Sequence, residues 1–379
     1  MTHNVLDFGV LGPLLVTVDG TPLVLGTPKQ RAVLAMLVIN RNKPVANQAL
    51  IEAAWEQWPP AAAQASLHSY ISNLRKIFDN AGVDSAKHLV RVPPGYRLTV
   101  PDMSCDIARF VVEKNAGVQA AAAGRFEQAS RHMSAALAQW RGPVLDDLRR
   151  DFQFADTYAT ALAEDRMVAL TARAEAEIAC GRSYAVIGEL EALTAEHPYH
   201  EALWTQLITA YYLAERQSDA LDAYRRLKTT LADDLGIDPG KTIRSLYEKI
   251  LRQEPLNAKQ AAQVTAVESV TRMDQRTASD DNTPVAGLRD AAGRTFPVSA
   301  TATRIGRLRE NDIVLDDPNV SRHHAAIIDT GSTYVLFDTR SANGVYVQNQ
   351  RVRDRVSLND GDRIRICGHE FTFEVRPAG

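Results

Sequence analysis

The stretch Leu67-His-Ser-Tyr70-Ile71-Ser-Asn-Leu74-Arg-Lys-Ile77-Phe78, followed by Leu89-Val-Arg-Val92, Pro93-Pro94-Gly95 and Tyr96-Arg-Leu98, decides how the first hundred residues are read. Leu67, Tyr70, Ile71, Leu74, Ile77 and Phe78 recur with the spacing of one face of an α-helix. At about 100° per residue the opposite face carries His68, Ser69, Ser72 and Lys76, with Asn73 and Arg75 on its flanks. Such a helix packs by one side and offers cations and hydrogen-bonding groups on the other. The two short β-rich runs that follow, joined by Pro-Gly, make a hairpin.

Upstream, residues 1–26 alternate short apolar runs with Gly and Pro, and Asp19-Gly20 between two such runs signals a tight hairpin. Thr27-Pro28 reads as an N-cap followed by Pro at the first helical position. Val33, Leu34, Leu37 and Val38 follow at helical spacing, and a second helix is expected from about Asn47 to Trp55. Strands, three helices and a hairpin, in that order, describe a winged helix-turn-helix over residues 1–104. Its third helix would enter a major groove and its wing would lie beside the phosphates of double-stranded promoter DNA. His68, Ser69, Ser72, Asn73, Arg75 and Lys76 offer the mix that reads base edges and anchors phosphates, and Arg91 and Arg97 on the hairpin suit backbone contact. Each of these residues taken singly could equally be ordinary solvated surface. The ordered set argues for DNA binding.

With those residues in view, residues 5–100 resemble the winged-helix domain of response regulators and of the Streptomyces antibiotic regulatory proteins. The resemblance rests on Gly9-Val-Leu-Gly-Pro13, Lys29-Gln-Arg31, Leu50-Ile-Glu52 with Trp55, Tyr70-Ile-Ser-Asn-Leu-Arg-Lys76 and Pro94-Gly-Tyr-Arg97. Many members of that wider family carry Arg where this chain has Asn73, a departure that bears on base preference and not on the docking mode.

Residues 105–253 show almost no strand signal. Ala176-Glu-Ile-Ala-Cys-Gly-Arg182 aligns with Ala210-Tyr-Tyr-Leu-Ala-Glu-Arg216, an offset of 34 residues, which is the tetratricopeptide period. A looser copy sits at Ala123-Gly-Arg-Phe-Glu-Gln-Ala129. The expectation is an all-α stack of helical hairpins, either a protein-binding surface or a plain spacer or dimerisation module. The block resembles the bacterial transcriptional activation domain of the same regulators, Asp234-Leu-Gly-Ile-Asp-Pro239 and Leu246-Tyr-Glu248 matching its closing motif.

Composition changes again over residues 254–284, read as a linker whose early part could extend a helix and whose section from Asp274 to Pro284 is a flexible tether. Thr277, Ser279 and Thr283 are accessible hydroxyls there. Residues 285–379 then switch to period 2, with turn signals at Asn343-Gly344, Asp360-Gly-Asp362 and Gly368, as in a β-sandwich. Three polar loops punctuate the strands: Arg304-Ile-Gly-Arg307, Asn319-Val-Ser-Arg-His-His324 and Ser341-Ala-Asn-Gly344. Together and in this order they resemble the forkhead-associated domain, which implies a phosphothreonine-peptide site on the loops. By that resemblance Arg307, Ser321 and Arg322 would hold the phosphate, Asn343 the peptide backbone with Ser341 supporting its loop, and His324, Gly306 and Gly344 would be structural. The chemistry suits a phosphate carrying about −1.5 to −2 charge, because guanidinium and hydroxyl donors then make charge-assisted hydrogen bonds.

The net charge of −3 excludes a protein that holds DNA by bulk charge, and the charge is uneven: residues 1–104 carry net +2 and residues 105–253 net −4. Cys105, Cys180 and Cys367 are too far apart for a disulfide framework or a zinc site, which suits a reducing compartment. Neither a signal peptide nor a membrane-spanning run is expected, so the protein is placed in the cytoplasm, at the nucleoid. Nucleotide-binding, zinc-protease, serine-hydrolase and kinase signatures are missing, so no catalytic residue, metal site or cofactor is expected.

The reading is therefore a multidomain α+β chain: winged helix-turn-helix, tetratricopeptide-like activation domain and forkhead-associated sandwich. This combination resembles a group of mycobacterial regulators. It implies a transcriptional activator that binds promoter DNA, docks phosphothreonine on a Ser/Thr protein kinase, and meets RNA polymerase or a second copy of itself through the helical repeat, with the loop Glu56-Gln-Trp-Pro-Pro60 as a further contact. Two rivals stand beside it: a phospho-dependent scaffold with vestigial DNA binding, and an activator autoinhibited by its own linker phosphothreonine.

Overall fold

The computed structural model describes residues 5–56, 58–277 (271–277 by backbone alone), 286–298, 303–308, 311–329, 334–339, 341–353 and 355–375. The chain forms two compact units. One comprises Met1–Val111, Ala138–Asp165 and Met273–Gly379, the other Val112–Leu137 and Arg166–Arg272. The winged helix and the forkhead sandwich thus share a unit.

The first unit opens with β1 (Leu6–Gly9), β2 (Leu15–Val18) and β3 (Thr21–Pro22), an antiparallel sheet in that order. Asp19 and Gly20 both have positive φ, 49° and 78°, which matches the twist of a two-residue hairpin. Helix α1 (Pro28–Ile39) begins as its sequence signals: Thr27 Oγ1 accepts from Gln30 N–H at 3.3 Å and Pro28 occupies the first turn. After β4 (Val45–Ala46) come α2 (Asn47–Trp55), α3 (Ala63–Asn80), the single turn α4 (Ser85–His88), and the hairpin β5 (Leu89–Val92) and β6 (Gly95–Leu98). Leu67, Ile71, Leu74 and Phe78 of α3 are buried, Phe78 lying edge-on to Phe8 with centroids 6.3 Å apart. Trp55 stacks on Tyr70 at 5.7 Å and thereby joins α2 to α3. The segment after residue 138 closes this core. Arg141 N–H donates to Leu11 O at 2.7 Å, and the buried Asp106 carboxylate accepts from the N–H groups of Val10 (3.0 Å) and Leu11 (2.9 Å). Burial raises the Asp106 pKa, and those backbone donors and Arg141 oppose the rise.

Residues 106–277 hold eight helices, with a stretch of turns over 138–152 between the second and third: α5 (Asp106–Ala122), α6 (Phe126–Leu137), α7 (Gln153–Ala179), α8 (Ser183–Glu196), α9 (Glu201–Leu213), α10 (Gln217–Leu235), α11 (Lys241–Leu251) and α12 (Ala258–Thr277). The repeat is visible in the second unit: Arg182 and Arg216, one period apart, occupy the N-cap positions of α8 and α10. Val186, Ile187 and Leu190 face inward in one copy, and Ala220, Tyr224 and Leu227 in the next. The closing motif ends α10 at Gly236, φ 67°, and lets α11 return so that Tyr247 stacks on Tyr224 at 4.0 Å. Helix α12 runs further than a tether from Asp274 allows. Its Ala, Gln, Glu and Arg are good helix formers, and Ala262 packs against Phe126 and Ala179. Ser279 and Thr283 lie outside the described residues.

The C-terminal sandwich comprises β7 (Ala286–Asp290), β8 (Thr295–Val298), β9 (Thr303–Gly306), β10 (Ile313–Val314), β11 (Ala325–Asp329), β12 (Tyr334–Asp338), β13 (Val345–Val347), β14 (Gln350–Arg351), β15 (Arg355–Leu358), β16 (Arg363–Ile366) and β17 (His369–Val375). One sheet has the order β10-β9-β11-β12-β15 and the other β14-β13-β16-β17-β7-β8. Leu288, Ile305, Ile327, Leu336, Ile364 and Phe373 fill the space between them. Along β12 every residue from Tyr334 to Phe337 is buried, where a solvent-facing strand would alternate. The outer residues Val335 and Phe337, with Ile328 of β11, pack on Ala161 of α7. Two ion pairs flank that contact: Arg355 with Glu164 at 2.6 Å, and Arg304 with Glu52 of α2 at 2.6 Å. All four charged side chains keep 20–36% of their surface exposed, so each pair contributes on the order of 0.2–1 kcal/mol.

Candidate phosphopeptide and nucleic-acid sites

The three polar loops meet at one end of the sandwich. Arg304, read as part of a loop, lies within β9, and Arg307 follows the strand end at Gly306. Arg307 N–H donates to Ser321 O at 3.0 Å and Leu308 N–H to Arg322 O at 3.3 Å, so the two arginine-bearing segments run side by side with both side chains exposed. This approach needs a glycine at 306: a Cβ there would lie 2.3 Å from Arg322 O. The third loop closes on the second, Ala342 N–H donating to Ser321 Oγ at 3.1 Å and Asn343 Nδ2 to Asn319 O at 2.8 Å. Ser341 Oγ accepts from Gly344 N–H at 3.0 Å, and Gly344 has φ 75°, a left-handed conformation that suits glycine.

His324 is fully buried at the centre. Its Nδ1 accepts from Ser321 N–H at 3.0 Å and its Nε2 faces Gly344 O at 3.2 Å. The two partners assign a neutral imidazole with the proton on Nε2, joining the second loop to the third. Cys367 adds a further tie, its thiol donating to Asn319 O at 3.2 Å; burial raises its pKa.

Sequence reasoning missed Asn311 and Thr339. Asn311 is 5% exposed, and its Nδ2 donates to Leu308 O and Arg322 O, each at 2.8 Å, while Oδ1 faces His323 Nδ1 at 3.0 Å. One amide thus spans both arginine-bearing segments. Thr339 Oγ1 holds His323 O at 2.8 Å. Period-2 patterning assigns neither residue to the interior, because both lie just outside strands.

On the winged helix, His68, Ser69, Ser72, Asn73 and Lys76 of α3 are exposed, as is Arg91 on the wing. His68 lies edge-on to Tyr96 at 6.4 Å, joining the helix to the wing. Ser69 Oγ donates to Ala65 O at 3.1 Å, and Asn73 Nδ2 reaches Gln30 Oε1 only at 3.5 Å. Arg75 differs from its neighbours. Its Nη2 and Nε donate to Leu89 O at 2.6 and 3.2 Å, so the guanidinium anchors β5 to α3. Half-buried Arg97 donates from Nε to Thr99 Oγ1 at 3.1 Å. Sequence spacing puts Arg75 on the flank of the surface that carries Lys76, and the structure turns Arg75 to the wing and leaves Lys76 in solvent. Among the described residues no helix is long and apolar enough to cross a membrane, and no cluster of potential metal ligands occurs.

Fold and site together define a transcriptional regulator that carries a winged helix, a bacterial activation domain and a forkhead-associated domain. The chain belongs to the EmbR family. It is 68% identical over 371 residues to the transcriptional regulatory protein EmbR of Mycobacterium tuberculosis, covering 98% of this chain and 95% of that protein. The solved structure of Mycobacterium tuberculosis EmbR in complex with a low-affinity phosphopeptide superposes with a TM-score of 0.95 at 67% identity over the full length of both chains. The regulatory protein DnrI of Streptomyces peucetius is 33% identical over 70% of this chain and 99% of its own. Family profiles match in three places: transcriptional regulatory protein, C terminal, at residues 20–98, bacterial transcriptional activator domain at 105–251, and FHA domain at 303–367.

Proposed function

We propose that this regulator activates transcription from promoter DNA and reads a phosphothreonine on a Ser/Thr protein kinase. Its domains are proposed as residues 1–104 for DNA, 105–253 for activation and 285–379 for the phosphopeptide, joined by 254–284. The observation that carries the phosphopeptide reading is the pair of exposed arginines, Arg307 and Arg322, on adjoining segments beside Ser321 and Asn343. The solved relative bound to a phosphopeptide supports it. Ser321 offers a hydroxyl, Ser341 and Asn343 a peptide-facing loop, and Gly306, Gly344 and His324 the frame.

On DNA, Ser72, Asn73 and Lys76 face the major groove, with His68 and Ser69 at the helix edge and Arg91 and Arg97 toward phosphates. Arg75 acts by holding the wing. The helical repeat and the loop Glu56-Gln-Trp-Pro-Pro60, where Trp58 is 83% exposed, contact RNA polymerase or a second copy of the chain. The protein acts at the nucleoid in the cytoplasm and performs no catalysis.

The test is a selection of genomic fragments by the purified chain, untreated and kinase-treated, at near-physiological salt. Enrichment of promoter fragments is expected. Enrichment of none in either state would leave only the scaffold reading.

A further inference from the structure

The loops that carry Arg307 and Arg322 are connected by continuous contacts to the DNA-binding unit. Asn311 holds Leu308 O and Arg322 O. The next residue, Asp312, accepts from Arg304 N–H at 2.7 Å and faces Arg304 Nε at 3.8 Å. Arg304 Nη1 in turn reaches Glu52 Oε2 at 2.6 Å, and Glu52 Oε1 is held by Gln48 Nε2 at 3.1 Å one turn earlier on α2. Helix α2 carries Trp55, which stacks on Tyr70 of α3. Beside this chain of contacts, Arg355 with Glu164 and the outer face of β11 and β12 on Ala161 seat the sandwich on α7.

We propose that the Arg304–Glu52 pair makes phosphopeptide binding at the forkhead loops and helix α2 of the winged helix energetically dependent on each other. The inference rests on the phosphopeptide reading above. Two features favour coupling over incidental contact. First, Asn311 and Asp312 are adjacent, so a ligand that fixes the Arg307 and Arg322 segments also fixes the carboxylate that orients Arg304. Second, the Arg304–Glu52 pair is partly exposed and weak, so its making or breaking is within reach of the differential binding energy of a ligand while the apolar contact on Ala161 stays closed. A phosphothreonine peptide therefore favours the paired form and rigidifies α2. By reciprocity, DNA that favours the paired form tightens the peptide by the same factor.

Hydrogen exchange on the full chain, with and without a saturating synthetic phosphothreonine peptide, tests this. The expected result is protection of residues 305–308 and 321–324, together with about fivefold slower exchange of residues 47–55. In Arg304→Gln and Glu52→Gln, which remove the ion pair without placing a second carboxylate beside Asp312, the loop protection persists, showing a folded sandwich, and the α2 effect disappears. Loop protection without any change at α2 in the native chain overturns the coupling and leaves the phosphopeptide reading intact. Persistence of the α2 effect in both single variants also overturns it. No loop protection at all overturns both.

Discussion

The exposed face of α3 and the loop end of the forkhead sandwich present similar groups, namely cations, hydroxyls and amides, on different supports. On α3 the backbone hydrogen bonds lie within the helix, and the apolar stripe of Leu67, Ile71, Leu74 and Phe78 holds the whole face in place. Each polar side chain there can be replaced without moving its neighbours, except Arg75, which is tied to Leu89 O, and His68, which lies against Tyr96 of the wing. In the sandwich, Arg307, Ser321 and Asn343 come from three separate segments, and their spacing depends on His324, Asn311 and the backbone ties between loops. A helix face is arranged by local structure, and a loop cluster is arranged by buried polar braces. Deleting a brace should therefore cost more than deleting a contact residue in the sandwich, and the reverse should hold for most of α3.

The largest expected effect is at His324→Ala. It strands Ser321 N–H and Gly344 O in the interior, at about 1–3 kcal/mol each. Calorimetric titration with a phosphothreonine peptide should show Kd raised at least about 30-fold, with a lower Tm for the sandwich. Unchanged binding would mean that the loops hold themselves. Arg307→Ala, at an exposed position, should raise Kd by about 10- to 150-fold, the cost of one lost charged hydrogen bond, while leaving Tm unchanged. A comparable fall in Tm would erase the distinction between brace and contact.

On the DNA side, Arg75→Ala should lower the winged-helix Tm by several degrees, because about 1.5–3 kcal/mol of charge-assisted bonding to Leu89 O is lost. Lys76→Ala should leave Tm in place, weaken DNA uniformly across sequences, and reduce the slope of log K against log salt by about 1. Equal salt slopes for native chain and Lys76→Ala would remove Lys76 from the phosphate contacts.

The smallest effect concerns a half-buried polar group without the dense bracing of the sandwich. Glu175 in the helical repeat accepts from Gln206 Nε2 at 2.8 Å, and burial pushes its carboxyl up to about 7. The folded state then binds more protons than the unfolded state between the ordinary carboxylate range and about 7. Stability of this unit should therefore decline as pH rises through that window. Thermal melts at pH 6 and pH 8 should show the decline, and Glu175→Gln should flatten it.

The local elements were legible because their signals are local. Thr27-Pro28 starts α1, Asp19-Gly20 turns the first hairpin, and the 34-residue offset of Arg182 and Arg216 marks two equivalent helix starts. The motif residues of the sandwich were legible as a set because three loops in a fixed order are specific. Asn311 and Thr339 were not, since a polar residue outside a strand carries no periodic sign of burial. The turn of Arg75 to the wing was not legible either, because a side chain on the flank of a helix face goes to whichever partner the fold brings near, here Leu89 O.

The sequence by itself thus determined the three folds, the apolar face of α3 and the chemistry on offer at the loops, all consequences of spacing along the chain. Only the tertiary structure decided that Val335 and Phe337 of β12 are covered by Ala161, that Arg304 reaches Glu52, and that winged helix and forkhead sandwich share one unit. Those contacts join residues some 170 to 250 positions apart in the sequence, and a strand buried on both faces names no partner for its second face.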